Sequence, residues 1–240
     1  LQAVFLERFE QLNAQEQKTH LLSLLNDAKQ LIKAGALDIT ESLPLYQLGL
    51  TTGAVLNQGK MTSNTYLTIV TASNTKGTFD FTGHFTDKYT VCLAGEVRDD
   101  CARWAGAHTA YWRKELKGCL AILQGYHFRA HNVQLISREL TTQMYFDLYL
   151  KDKSYHFYLF HYFDTFEKWL NRQTAKSATN KTAFLRFVQT CRTLAKYYAD
   201  PNPQKLENLL DQEQNIQALN WLKLKQEEVL QLKAKRPSSV

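Results

Sequence analysis

Between Thr141 and Phe163 the chain reads TTQMYFDLYLKDKSYHFYLFHYF, its densest run of aromatic rings, and whatever fold it adopts has to accommodate that stretch. The apolar residues alternate. Met144, Phe146, Leu148 and Leu150 fall on one side of an extended arm, with Tyr145, Asp147 and Tyr149 on the other, the period-two pattern of a half-buried strand. Lys151-Asp152-Lys153-Ser154 supplies a polar turn, and a second arm alternates Tyr155, Phe157, Leu159, His161 and Phe163 against His156, Tyr158, Phe160 and Tyr162. Setting Leu150 opposite Tyr155 brings Tyr149 to His156, Asp147 to Tyr158 and Tyr145 to Phe160. The expected element is a β-hairpin with one plain core face and one tyrosine-rich platform.

Other strand signals lie upstream. TYLTIVTA, TFDFTGHFT and KYTVCLA, within residues 65–94, predict a three-stranded antiparallel meander whose first turn is Ser73-Asn74-Thr75-Lys76-Gly77. Val133–Ser137 predicts one more strand. Helices are expected over 2–12 and 14–35, the second with Asn13 and Glu16 as an N-cap pair and Gly35 as its stop. Further helices are expected over 99–126, capped by Asp99 or Asp100, from Asp164 through FEKWLNRQ, and over 182–199, 204–212 and 215–235. The expected fold class is α+β: an antiparallel sheet of about six strands, comprising the meander, a long inserted helix, and the strand with its aromatic hairpin, flanked by N-terminal and C-terminal helices. Residues 1–200 would form the α+β domain. The break at Asp200-Pro201-Asn202-Pro203 would set off 201–240 as a C-terminal helical extension packed on it.

Several function classes lack a signal. No apolar run approaches the roughly 18 residues that cross a bilayer, and LQAVFLERFEQLN has no basic stretch followed by an apolar one, so neither a membrane span nor a signal peptide is expected. Cys92, Cys101, Cys119 and Cys191 are scattered without a Cys-x-x-Cys pair, as in a cytoplasmic protein with reduced thiols. Gly59-Lys60 is followed by Met61 rather than Ser or Thr, so no phosphate loop forms there and no cofactor is expected. Asp80, His84 and Asp87 gather two carboxylates and an imidazole near one turn, a grouping that serves either acid-base work or simple turn formation.

Charge is distributed unevenly. The net charge is +6, yet residues 101–199 hold fifteen Lys and Arg against six Asp and Glu, together with most of the histidines. On the expected helix over 99–126, Trp104, His108, Tyr111, Trp112, Cys119 and Ile122 share an apolar stripe, while Arg103, Arg113, Lys114 and Lys117 rise among the small residues Gly106, Ala110 and Ala121. Cations beside small residues let a helix backbone approach a phosphate chain. Glu115 interrupts the apolar stripe, where it needs a partner or takes a raised pKa. Together these features predict a nucleic-acid-binding protein, DNA or RNA. Arg103, Arg113, Lys114, Lys117 and Arg129 would meet phosphate, and Tyr145, Tyr149, His156, Tyr158 and Tyr162 would stack on bases without strong sequence readout. Two alternatives stand beside it. One is a non-catalytic subunit of a protein assembly, or a homo-oligomer, joined through Leu-rich terminal helices. The other is an enzyme acting on a phosphate-bearing substrate through Glu115, His156 or His161 with Asp147 or Asp164.

Overall fold

In the computed structural model the described residues are 9–173, 178–199, 210 and 216–234. The first part of the helix expected over 2–12, the Asp200–Pro203 break and, Leu210 apart, the helix expected over 204–212 lie outside them. Among the described residues there are ten α-helices and no strand. The expected six-stranded α+β fold is therefore wrong, and the protein is all-helical. Two compact units, Leu1–Ser137 and Arg138–Val240, divide the chain.

The first unit contains α1 (Ala14–Lys33), α2 (Leu43–Thr51), α3 (Ser63–Thr75), α4 (Phe79–Tyr89), α5 (Gly95–Trp112), α6 (Leu116–Leu123) and the start of α7 (His131–Lys151). As expected, Asn13 and Glu16 form a reciprocal capping box at α1. Gly35, at φ 72°, ends that helix in the left-handed conformation a glycine adopts without strain. The centre of the unit is α3, which packs on α2, α4 and α5. Tyr66, Leu67, Ile69, Val70, Ala72, Ser73 and Asn74 are all buried, and a narrow polar stripe of Asn64, Thr68, Thr71 and Thr75 reaches solvent.

The expected meander is thus α3, α4 and the short 3-10 turn Thr90–Cys92. Its Thr, Tyr, Ile and Val content suits a strand, but the wide buried face leaves a narrow stripe of Asn64, Thr68, Thr71 and Thr75, and tertiary burial overrides propensity. Gly77, taken as a hairpin turn, is a helix stop. It sits at φ 79°, with Thr78 N–H donating to Ser73 O and Gly77 N–H to Asn74 O.

The helix expected over 99–126 breaks in two. Lys114, at φ 66°, closes α5 in a left-handed turn in which Glu115 N–H donates to Ala110 O at 2.9 Å and Lys114 N–H to Tyr111 O at 2.9 Å. Glu115 is consequently exposed at the junction instead of buried in the stripe. Asp100 caps a different helix from the one expected: it lies inside α5, accepts from Arg129 N–H at 2.6 Å and Ala130 N–H at 2.7 Å, and so holds the start of α7.

The second unit holds the rest of α7 with α8 (His156–Arg172), α9 (Ala178–Ala199) and α10 (Leu219–Ala234). The hairpin is two helices joined across Asp152. Within residues 140–150 only Thr141 and Tyr145 escape full burial, which is why alternation could be read into a helix with no polar face. The strand expected at Val133–Ser137 is the first turns of α7. In α8 the buried residues are Leu159, Phe163, Phe166 and Leu170, the i, i+4, i+7, i+11 stripe of a helix. The core closes through Phe146 against Trp221, Phe187 against Trp221 and Phe166 against Phe184.

Candidate binding groove

The five cations expected to meet phosphate all belong to the first unit. Arg103 donates from Nη1 to Ile122 O at 2.7 Å and lies 4.4 Å from the Tyr126 ring centre. Arg113 lies over Phe79 at 5.2 Å, and Lys114 stands 5.8 Å from both the Tyr111 and Trp112 rings. Lys117 and Arg129 are exposed.

The five expected stacking rings belong to the second unit, on helices rather than on a sheet. Tyr149 is a core residue packed edge-on to Tyr198. Tyr145 stacks on Tyr158 at 6.4 Å and leans on Tyr162 at 5.6 Å. Burial raises the phenol pKa of both Tyr145 and Tyr162. His156 is exposed and stacks on Phe160 at 4.3 Å. Tyr158 is 58% exposed, and Phe157, expected in the core, is 71% exposed, so the open rings cluster at the start of α8.

The feature the sequence did not announce is an open groove of about 630 Å3 in the first unit. From α4 it is lined by Phe79, Thr82, Gly83, Thr86 and Asp87, with Thr90 just beyond. The facing wall on α5 is Ala102, Ala105, Gly106, Thr109, Ala110 and Arg113. Because Arg113 near the end of α5 lies over Phe79 at the start of α4, the two helices run in opposite senses along the groove. A β-carbon added at Gly83 or Gly106 would meet nothing within 4 Å. A helix-interior glycine costs about 1 kcal/mol relative to alanine, and the packing of this chain gives no return for either one.

The groove offers shape rather than hydrogen bonds. Thr82 Oγ1 donates to Ser73 Oγ at 2.8 Å, Thr86 Oγ1 to Gly83 O at 2.9 Å, Thr90 Oγ1 to Thr86 O at 2.6 Å and Thr109 Oγ1 to Ala105 O at 2.9 Å. Each hydroxyl proton is used within the unit, leaving methyl groups and α-carbons toward the open space. Tyr66, on the floor, lies 2.8 Å from Thr90 Oγ1, and burial raises its phenol to about 12.

No protein family, curated protein or solved structure matches this chain.

Behind the α5 wall lies a neutral polar cluster. His108 stacks on Trp104 at 4.6 Å and accepts from Trp112 Nε1 at 3.1 Å. Its Nδ1 lies 3.0 Å from Asn74 Nδ2. Asn74 Nδ2 also donates to Thr109 Oγ1 at 3.0 Å, tying α3 to the groove wall. Burial lowers the His108 pKa to about 3 and keeps the ring uncharged. Among the described residues no group of three or more His, Cys, Asp and Glu could hold a metal ion, and no helix is long and apolar enough to cross a membrane.

Of the groove residues, the sequence singled out Gly106, Ala110 and Arg113, as small residues beside a cation, Asp87, as part of the turn cluster, Ile122, as part of the apolar stripe, and Glu115, as its interruption. Gly83 and the threonines gave no signal, since they stood in an expected strand.

Proposed function

We propose that this chain is a non-enzymatic binding protein whose partner is a segment of another protein, seated in the groove between α4 and α5. The observation that carries this reading is the open groove itself, lined by small residues on two neighbouring helices, Gly83 and Thr86 on α4 and Ala102 and Gly106 on α5. A cleft lined mainly by Ala, Gly and Thr, with the threonine hydroxyl protons already bonded, suits apolar side chains. A phosphodiester chain calls for free donors and converging cations instead. Of the carboxylates considered for proton transfer, Asp147 pairs with Lys225 at 2.6 Å and Asp164 with Arg192 at 2.8 Å, and Glu115 is exposed at the end of α5.

The test is capture from a nuclease-treated cell extract on the immobilised full chain, comparing the native sequence with Gly106→Phe. A discrete protein retained by the first and lost by the second, with both chains melting alike, is the expected result. Equal retention by both chains contradicts the reading.

A second reading keeps one observation in its favour. Phe157 and Tyr158 are open to solvent at the start of α8, close in sequence to the exposed Lys151 and Lys153, and rings beside cations suit a single nucleic-acid strand. Retention on heparin that falls steeply with salt and is lost on Phe157→Ala would favour it.

A further inference from the structure

We propose that Lys225 and Asp147 condense to an isopeptide bond, made by the second unit in its own core with Glu228 as the proton carrier. The site is independent of the groove, and its substrate is the chain itself.

Two helices bring the amine and the carboxyl together. Asp147 belongs to α7 and Lys225 to α10, and Lys225 Nζ lies 2.6 Å from Asp147 Oδ1, an oxygen one bond from the carbon that an amine would attack. Glu228, one turn further along α10, places Oε2 2.6 Å from the same nitrogen. Two carboxylates thus bracket one Nζ. The Lys225 and Asp147 side chains are only 11% and 7% exposed, whereas Glu228 is 45% exposed. The reacting pair is shut away from water, and the third group reaches it from the surface.

The surroundings of the pair are apolar. The Trp221 ring centre lies 5.7 Å from Nζ, and that ring packs edge-on to Phe146 at 5.6 Å and tilts against Phe187 at 6.0 Å. Leu222 and Val229 of the same helix are fully buried. Opposite charges held in such a place keep a desolvation cost that their attraction repays only in part. A neutral amide removes both charges, and its N–H can still donate to Glu228. Proximity supplies the rest, because well-oriented groups of one molecule react as though each were present at on the order of 10⁵ M or more.

The ion pair is the reactant state, and the step balances. Glu228 carries one proton from the Lys225 ammonium to an oxygen of Asp147, leaving an amine beside a carboxylic acid. The Nζ lone pair attacks Cγ and forms the C–N bond. Glu228 then takes a second proton from the nitrogen and delivers it to the protonated oxygen, which leaves as water with the electrons of the broken C–O bond. Ammonium and carboxylate become amide and water, nothing is oxidised or reduced, and Glu228 ends as it began. The product ties α10 covalently to α7.

The experiment is intact-mass spectrometry of the full chain, denatured and reduced, followed by peptide mapping. The expected result is a chain lighter than its sequence by one water, with a branched peptide joining the segments that hold Asp147 and Lys225. Lys225→Arg keeps a cation between the two carboxylates but cannot form this amide, and it should retain the full mass. Glu228→Gln should leave the chain almost wholly at full mass, since a positioned acid-base group contributes a factor of about 100 or more. A native chain that stays at full mass, fresh and after prolonged incubation below its melting temperature, would overturn the bond and leave a static ion pair. Loss of water that persists in Lys225→Arg would place the loss elsewhere and overturn it equally. Condensation undiminished in Glu228→Gln would overturn the role of Glu228 while leaving the bond.

Discussion

Each unit is built on a helix buried over most of its surface, α3 in the first and the later turns of α7 in the second, but the two solve the polar side of that burial differently. Around α3 the buried polar groups are Asn74, Ser73, Thr82 and an uncharged His108, and the unit's buried carboxylate, Asp100 on α5, is met by the Arg129 and Ala130 N–H groups and the Tyr126 hydroxyl rather than by a cation. Beside α7 they are ionic. Lys225 of α10 stands 2.6 Å from Asp147 and 2.6 Å from Glu228. Burial alone would lower its pKa, yet Asp147, then Glu228, outweigh that and raise it. Glu139 accepts from Gln217 Nε2 at 2.9 Å and Gln143 Nε2 at 3.3 Å, and burial lifts its carboxyl to about 7. The units differ in space as well. The second closes its core with Phe146, Phe187 and Trp221, whereas the first leaves a groove between two glycine-bearing helices.

The sharpest way to break this comparison is to remove one member of the ionic core. Lys225→Met keeps the bulk of the stem but leaves Asp147 buried without its cation, and the expected loss is about 3–5 kcal/mol by urea denaturation. A loss below about 1 kcal/mol would mean that the pair is no more than a solvated surface bridge.

A smaller effect is expected from pH, with opposite signs in the two units. His108 has a folded pKa of about 3, well below its ordinary value of 6.5, so an unfolded chain binds a proton that the fold refuses. The first unit should therefore lose about 1.4 kcal/mol per pH unit as pH falls below about 6.5. Glu139 is the reverse: its folded pKa of about 7 exceeds the ordinary 4.5, so the fold holds the proton more tightly. Its contribution is complete below about 4.5 and is lost as pH rises toward 7. Amide hydrogen exchange followed from pH 7 down to roughly 5, corrected for intrinsic rates, should show α3 opening more readily and α9 less. Movement of both in one direction would contradict the contrast, and Glu139→Gln should flatten the second response alone.

The smallest change is Gly106→Ala, expected to raise stability by up to about 1 kcal/mol in thermal melts. Destabilisation instead would mean that the glycine serves packing and that the groove is not spare space.

What the sequence made legible was the capped, one-sided part of the fold. Asn13, Glu16 and Gly35 marked α1 because cap chemistry is local, and α9 and α10 showed stripes because each keeps a wet face. What it concealed were α3 and α7, whose wide burial narrows the polar stripe and leaves β-branched and aromatic residues to suggest strands. The end of α5 was hidden for another reason: its left-handed residue is Lys114, where a glycine would have been the usual signal. The groove needed α4 and α5 to be recognised as neighbouring helices before Gly83 and Gly106 could be seen to face one space. The aromatic run pointed to a surface, yet Tyr149 went to the core and Phe157 to solvent once the period was 3.6 rather than two.

The most direct test of the groove as the binding surface is maleimide labelling of Gly106→Cys and, separately, Phe157→Cys in the full chain, with and without the captured partner. Both new thiols should label readily in the free protein, since one sits at an open position in the groove and the other at an exposed ring. With partner present, labelling at position 106 should slow by at least about tenfold while position 157 stays unchanged. Protection at 157 with none at 106 would contradict it.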